Sequence, residues 1–191
     1  MINDRLSSIS PRVGAFKATP PENKRIIAQS FHVYIGLGSN LDNPIQHVQA
    51  AFKELGQIAE TQLLEQSPLY RSAPVGPAGQ PDYINACALL QTTLAPLQML
   101  DALQAIENCH QRVRQERWGA RTLDLDLLLF GQQTIDSPRL QVPHPYLAER
   151  NFVLYPLSDI GVKAHLPSGE PIAKLKQASN NAGLERLEKN S

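Results

Sequence analysis

Apolar residues recur every second position in some stretches and every third or fourth in others, and this rhythm sets an element order. Residues 31–37 (FHVYIGL) alternate as a first strand, and Gly36-Leu37-Gly38-Ser39-Asn40 reads as a glycine-bearing turn after it. Asn43-Pro44 predicts an N-cap with proline at the first helical position. Ile45, Val48, Phe52 and Leu55 then recur at helical spacing until Gly56. Residues 61–70 predict a second strand and Tyr83–Thr92 a third. Leu94-Ala95-Pro96 opens a second helix whose stripe is Leu97, Leu100, Leu103, Ile106 and Val113. Period two returns downstream: Leu123, Leu125, Leu127 and Leu129 face one side of a strand, and Thr122, Asp124 and Asp126 the other. Two loops interrupt the pattern, the proline- and glycine-rich residues 72–81 and the polar residues 115–120. Loops of this length in a compact domain are often functional. Residues 140–146 (LQVPHPY) and 151–157 (NFVLYPL) are later apolar elements, and no internal repeat is present.

The order strand, helix, strand, strand, helix, strand predicts an α+β, ferredoxin-like fold. In it an antiparallel sheet carries helices on one face, and loops cover a cleft on the other. The leucine face of the 123–129 strand packs on the helices and turns Asp124 and Asp126 toward the cleft. Their spacing along a strand is roughly 6–7 Å. Two carboxylates that close raise each other's pKa unless something positive lies between them. A hard divalent cation such as Mg²⁺ meets that need and brings phosphate oxygens with it. The alternative for this segment alone is a solvated strand face bearing two acids.

Arginines shift the balance toward phosphate. Arg112, Arg114, Arg117 and Arg121 fall just upstream of Asp124, and Arg139 and Arg150 follow. Guanidinium forks suit phosphate oxygens, although Arg112 and Arg114 also fit as helix-end charges favoured by the dipole. No Walker-type or GxGxxG loop is present, so Gly36 and Gly38 read as turn glycines. His144 is stiffened by Pro143 and Pro145 and could bond a phosphate or serve structure alone. The other histidines lack paired spacing, which argues against zinc. Tyr83, Asn85, Trp118 and Phe152 could build a flat aromatic slot with one amide, or could be core.

Composition narrows the class. The chain has 191 residues, and 18 Lys plus Arg balance 18 Asp plus Glu. Zero net charge argues against a general nucleic-acid binder. No apolar run approaches a membrane span. Cys87 and Cys109 fall on a strand and a helix with no metal-like spacing, the pattern of reduced core cysteines in a cytoplasmic protein. The expected division is a disordered extension over 1–30, one domain over 31–174 and a tail over 175–191 of weak helix or disorder.

The segments YIGLGSN, SPLYRSAPVGPAGQPDYINA, RVRQERWGARTLDLDLLLF, RLQVPHP and ERNFVLYPL, in this order, closely resemble the 6-hydroxymethyl-7,8-dihydropterin pyrophosphokinase family of folate biosynthesis. The resemblance implies transfer of the terminal diphosphate of ATP to the pterin hydroxymethyl group, with release of AMP. It implies that Asp124 and Asp126 hold two Mg²⁺ ions, and that Arg112 and Arg121 steady the phosphates. Arg114 and Arg117 would sit in a mobile loop that closes over ATP. Glu107, Arg139, His144 and Arg150 fall to the nucleotide, and Ser72, Val75, Tyr83, Asn85, Trp118 and Phe152 to the pterin. It further implies a cytoplasmic monomer acting on two small substrates. Ala120, Ser72, Gln141 and Pro145 depart from the family pattern. Some relatives are fused to dihydropteroate synthase or dihydroneopterin aldolase, and this chain is too short for either fusion.

Two rival readings make different demands. A nucleotidyltransferase would bring a Gly-Ser turn close in sequence to the acidic strand, but Ser39 and Asp124 are far apart. An RNA-binding module on the same scaffold would carry aromatics and basic residues on its central strands. Acids on the sheet surface would instead repel phosphate without a metal.

Overall fold

The computed structural model describes residues 29–76, 79–110, 120–160 and 164–188. Its centre is a six-stranded antiparallel sheet. Five strands run in the order β5 (Asp124–Phe130), β1 (Phe31–Ser39), β4 (Tyr83–Thr92), β3 (Tyr70–Ser72) and β8 (Leu184–Arg186). The sixth, β2 (Thr61–Gln66), pairs with the far end of β4. A separate two-stranded ribbon joins β6 (Ile135–Asp136) to β7 (Gln141–Val142). The predicted strand–helix–strand–strand–helix–strand unit is therefore present, with the acidic strand at one edge.

The second predicted strand is broken. Ser67-Pro68-Leu69 separates β2 from β3, because proline cannot donate to a ladder. Ser67 stitches the break to β4: its N–H donates to the Cys87 carbonyl, and its hydroxyl accepts from the Cys87 N–H. Helix α1 (Pro44–Leu55) starts at proline as expected, but Asn43 is left-handed (φ 67°) and its side chain caps nothing. Helix α2 (Pro96–Cys109) buries Met99, Leu103 and Glu107. Leu97, expected in its stripe, is 43% exposed, since the contact face is turned by one side-chain row.

Helices cover both faces of the sheet, not one. Helices α1 and α2 pack on Val33, Ile35, Leu37, Leu125 and Leu127. Residues 151–157, an unassigned apolar element in the sequence, form most of helix α3 (Asn151–Ile160). It lies on the opposite face against Cys87, Leu89, Leu128 and Leu129, with α4 (Ile172–Ala178) against it. Within the expected tail, the described residues 175–188 hold the end of α4, which extends the second core cluster, and β8, which adds to β3. Cys87 is buried as expected, but Cys109 is exposed.

A bulge in β5 corrects the leucine face. Tyr34 pairs with Leu129 and Ile35 with Leu127, so Leu128 is the extra residue. Parity changes there. Leu123, Leu125 and Leu127 pack toward α1 and α2, whereas Leu128 and Leu129 join the α3 cluster. Helix α3 covers one part of that second face. The remainder, where Asp124 and Asp126 emerge, stays open.

Candidate active site

A cavity of about 310 Å³ occupies the uncovered part of the face. Its floor is β1. Gly36 and Gly38 lie inside this strand, opposite Asp126 and Asp124 respectively, and are not in a turn. Period two explains them: Val33, Ile35 and Leu37 face the core, so Gly36 and Gly38 face the cavity. A Cβ on Gly38 would lie 3.8 Å from Asn85 Oδ1 and 4.0 Å from Asp124 Cβ. The missing side chain is therefore space between an amide and a carboxylate.

At one end of the cavity stand the acids. Asp124 accepts a hydrogen bond from Arg121 Nη1. Asp126 Oδ2 lies 3.8 Å from His144 Nε2 and 4.0 Å from Arg150 Nη1. Burial, and then the neighbouring Asp124, push the Asp126 carboxyl up to about 7 despite Arg150 and Arg121. His144 is held in place by the bulge: its N–H donates to the Leu128 carbonyl at 2.9 Å. Its Nδ1 accepts from the Tyr146 N–H, which leaves the ring proton on Nε2, facing Asp126. Burial and Arg150 lower the imidazole to about 4, so it is neutral at physiological pH. Arg150 sits over the rings of Tyr146 and Phe152 at 4.8 and 5.7 Å.

At the other end stand Ser72, Val75, Tyr83, Asn85 and Phe152, all lining the cavity. Asn85 is buried and donates from Nδ2 to the Ser72 hydroxyl at 3.0 Å, while its Oδ1 points toward Gly38. Its amide is thereby oriented with the acceptor oxygen toward the cavity. Val75 is 62% exposed, on the loop that rims the opening.

Asn40 ties the two flanking loops to β1. Its side-chain oxygen accepts from the Arg121 N–H at 2.7 Å, its own N–H donates to the Arg121 carbonyl at 3.0 Å, and its Nδ2 donates to the Pro81 carbonyl at 3.1 Å. Ser39 donates its hydroxyl to the Thr122 carbonyl at 2.5 Å. Ser39 is fully buried, so it is not the exposed turn serine that a nucleotidyltransferase needs.

Two expected nucleotide residues are not among those lining the cavity. Arg139 pairs with Asp101 of α2 at 2.5 Å, with both side chains exposed. Glu107 is buried beneath β5, and its Oε1 accepts from the Leu125 N–H at 2.8 Å. Arg112, Arg114, Arg117 and Trp118, and most of the 115–120 loop, lie outside the described residues, as does most of the 1–30 segment. The sequence reading missed Gly36, Gly38, Asn40 and Tyr146. The strand alternation could have found the glycines; the other two needed the fold.

Asp124 and Asp126 fit a hard cation. They face one cavity, their proximity disfavours a second negative charge, and oxygen is their donor atom. No group of three or more His, Cys, Asp or Glu gathers around a common point among the described residues. Substrate phosphates and water would then complete the coordination, as is usual for Mg²⁺.

Comparison with known proteins places this geometry. Residues 34–162 match the family model described as 7,8-dihydro-6-hydroxymethylpterin-pyrophosphokinase. A Pseudomonas aeruginosa protein named 2-amino-4-hydroxy-6-hydroxymethyldihydropteridine pyrophosphokinase is 53% identical over 155 residues, covering 81% of this chain and 96% of that one. A Haemophilus influenzae protein of the same name is 48% identical over 142 residues, covering 74% and 89%. Among solved structures, one titled as HPPK-DHPS in complex with substrates superposes with a TM-score of 0.66 at 14% identity, covering 83% of this chain. The chain spans about half (47%) of that longer protein, and the likeness speaks for the fold.

Proposed function

The chain belongs to the 7,8-dihydro-6-hydroxymethylpterin-pyrophosphokinase family, and from that premise we propose how its cavity divides the work. The reaction is transfer of the terminal diphosphate of ATP to the hydroxymethyl oxygen of 6-hydroxymethyl-7,8-dihydropterin, giving the pterin diphosphate and AMP in folate biosynthesis. The substrate oxygen bonds to the β-phosphorus as the bond from that phosphorus to the α,β-bridging oxygen breaks. Such chemistry needs alignment and charge neutralisation more than covalent help.

The pterin occupies the end bounded by Tyr83, Phe152 and Val75, with Asn85 and Ser72 reading its polar edge. The triphosphate runs toward Asp124, Asp126, Arg121 and Arg150. Asp124 and Asp126 would hold two Mg²⁺ ions, whose contribution is to neutralise the triphosphate and fix its oxygens. Arg121, now bonded to Asp124, and Arg150, stacked on Tyr146 and Phe152, bring positive charge to the same end. His144, neutral with its proton on Nε2, donates to a phosphate oxygen. Arg112, Arg114, Arg117 and Trp118 complete the nucleotide and pterin sides from residues 111–119, and Arg139 turns from Asp101 toward the nucleotide. The enzyme acts as a cytoplasmic monomer. Every residue lining the cavity comes from this one chain, and, separately, no helix among the described residues is long and apolar enough to cross a membrane.

One observation carries this assignment: Asp124 and Asp126 face Gly38 and Gly36 in register, on the floor of a cavity whose other end is an aromatic slot with an oriented amide. Chromatography of products from Mg²⁺, ATP and the pterin tests it. AMP and pterin diphosphate are expected in equal amounts, and neither when a substrate is omitted. ADP as the nucleotide product, or AMP formed without pterin, would contradict it.

A further inference from the structure

Among the described residues Glu107 is the charged one of the buried polar side chains, 3% exposed, and it is not among the residues lining the cavity. A buried carboxylate costs stability unless it is hydrogen-bonded. One of its oxygens bonds the backbone of the acidic strand. Among the described residues β5 is an edge strand, with β1 on one side and no strand on the other. The Leu125 N–H is therefore outside the β1 ladder, and Glu107 Oε1 accepts from it at 2.8 Å. Leu125 is the residue between Asp124 and Asp126.

From this geometry we infer that Glu107 is a positioning residue, which fixes the spacing and direction of the two acids through the Leu125 amide. The inference rests on the reading that Asp124 and Asp126 hold the metal. The helix bearing Glu107 is itself anchored. His110, which caps α2 three residues later, sits 2.7 Å from His47 Nδ1 through its own Nδ1, and 2.8 Å from Glu54 Oε2 through Nε2. Both partners belong to α1. A continuous chain of bonds thus runs from α1 through the last turn of α2 to the strand between the acids. A free edge strand could twist between Asp124 and Asp126; one held at Leu125 cannot. A charge-assisted bond to a backbone N–H is among the stronger hydrogen bonds. Groups that orient metal ligands in this indirect way typically change metal affinity or activity by about 10–100-fold when removed.

Three variants separate positioning from mere structure. E107M keeps length and apolar fill but accepts no hydrogen bond. E107D keeps the charge but retracts the acceptor by one methylene. E107Q keeps the acceptor. Mn²⁺ affinity in the presence of a non-hydrolysable ATP analogue, pterin affinity by fluorescence, and hydrogen exchange at the Leu125 amide are read for each, with D126N beside them. The expected result is at least roughly tenfold weaker Mn²⁺ binding and faster Leu125 exchange in E107M. E107D should be weakened too, E107Q should stay within about threefold of the parent, and pterin affinity should be unchanged throughout. Parental Mn²⁺ affinity in E107M overturns the inference, and if E107M does not fold, parental affinity in E107D does so. Parental affinity in D126N instead overturns the metal assignment beneath it.

Discussion

Burial and Asp124 push the Asp126 carboxyl up to about 7, while burial and Arg150 push the His144 imidazole down to about 4. The two shifts have opposite consequences. A raised carboxyl pKa gives the folded state more protons than the unfolded one, so its stabilisation is present in acid and is lost as pH rises through about 7. A lowered imidazole pKa gives stabilisation that is present above the ordinary histidine range and is lost as pH falls toward about 4. The slopes oppose each other in mild acid, and near neutrality Asp126 is the one of the two that still titrates. Metal-free protein should therefore lose melting temperature as pH rises through neutrality, and D126N should abolish that slope. Mg²⁺ needs the carboxylate anion, so binding of Mg²⁺ with an ATP analogue should strengthen up to about pH 7 and then level off. Calorimetry across pH 5 to pH 9 checks both trends; a D126N curve that keeps the slope would assign it elsewhere. Gly38 offers a second residue-scale test. Its Cβ would project between Asn85 and Asp124 without a backbone clash. Gly38→Val should leave the fold intact and weaken pterin binding by roughly tenfold or more, the scale set by misplaced methyl groups in a fitted pocket. Fluorescence titration against unchanged circular dichroism would show it.

Elements were legible to the extent that their pattern is local. β1, α1, β4 and β5 follow from alternation, helical spacing and proline to within a few residues; α2 starts at its proline, while Val113 of its expected stripe lies outside the described residues. What escaped depends on partners. The Leu128 bulge, which moves Leu129 to the other face, is fixed by register against β1 and by the His144 N–H on its carbonyl. β8 is three residues of weak pattern that become a strand only because β3 offers an edge. Gly36 and Gly38 resemble turn residues because a strand lining a cavity can omit side chains that a core strand must keep. The acidic face, the arginine, the histidine and the aromatic slot were legible because chemistry restricts residue type; Asn40 was not, because a buried clamp resembles any loop asparagine. Its role is now testable. Asn40→Ala removes three side-chain hydrogen bonds, to the Arg121 N–H, the Pro81 carbonyl and Gln80 Oε1. A stability loss of about 1–3 kcal/mol is expected from buried groups left unpaired. Turnover should fall more than pterin affinity, because Arg121 keeps only its carbonyl bond to the residue-40 N–H and is held less firmly. Equal turnover in parent and variant would show that the clamp serves stability alone.

For the whole molecule, helices on two faces explain why the site lies where it does. α1 and α2 pack on one face of the sheet centre, and α3 covers only part of the other. The uncovered remainder is bounded by loops on both sides and has two chemically distinct ends, aromatic-amide and acidic-cationic. That division predicts that substrate recognition and diphosphate transfer can be separated by mutation. Asp124→Asn and Asp126→Asn decide this most directly. Each is nearly isosteric, so β5 and its packing should survive, and only the charge proposed to face the triphosphate is lost. Metal positioning is commonly worth several kcal/mol of transition-state stabilisation, and ~1.4 kcal/mol is about tenfold in rate. Steady-state turnover with Mg²⁺ and ATP should fall at least roughly a hundredfold in either variant. Pterin affinity, titrated without nucleotide, should stay within about twofold. Near-parental turnover in both variants would contradict the account.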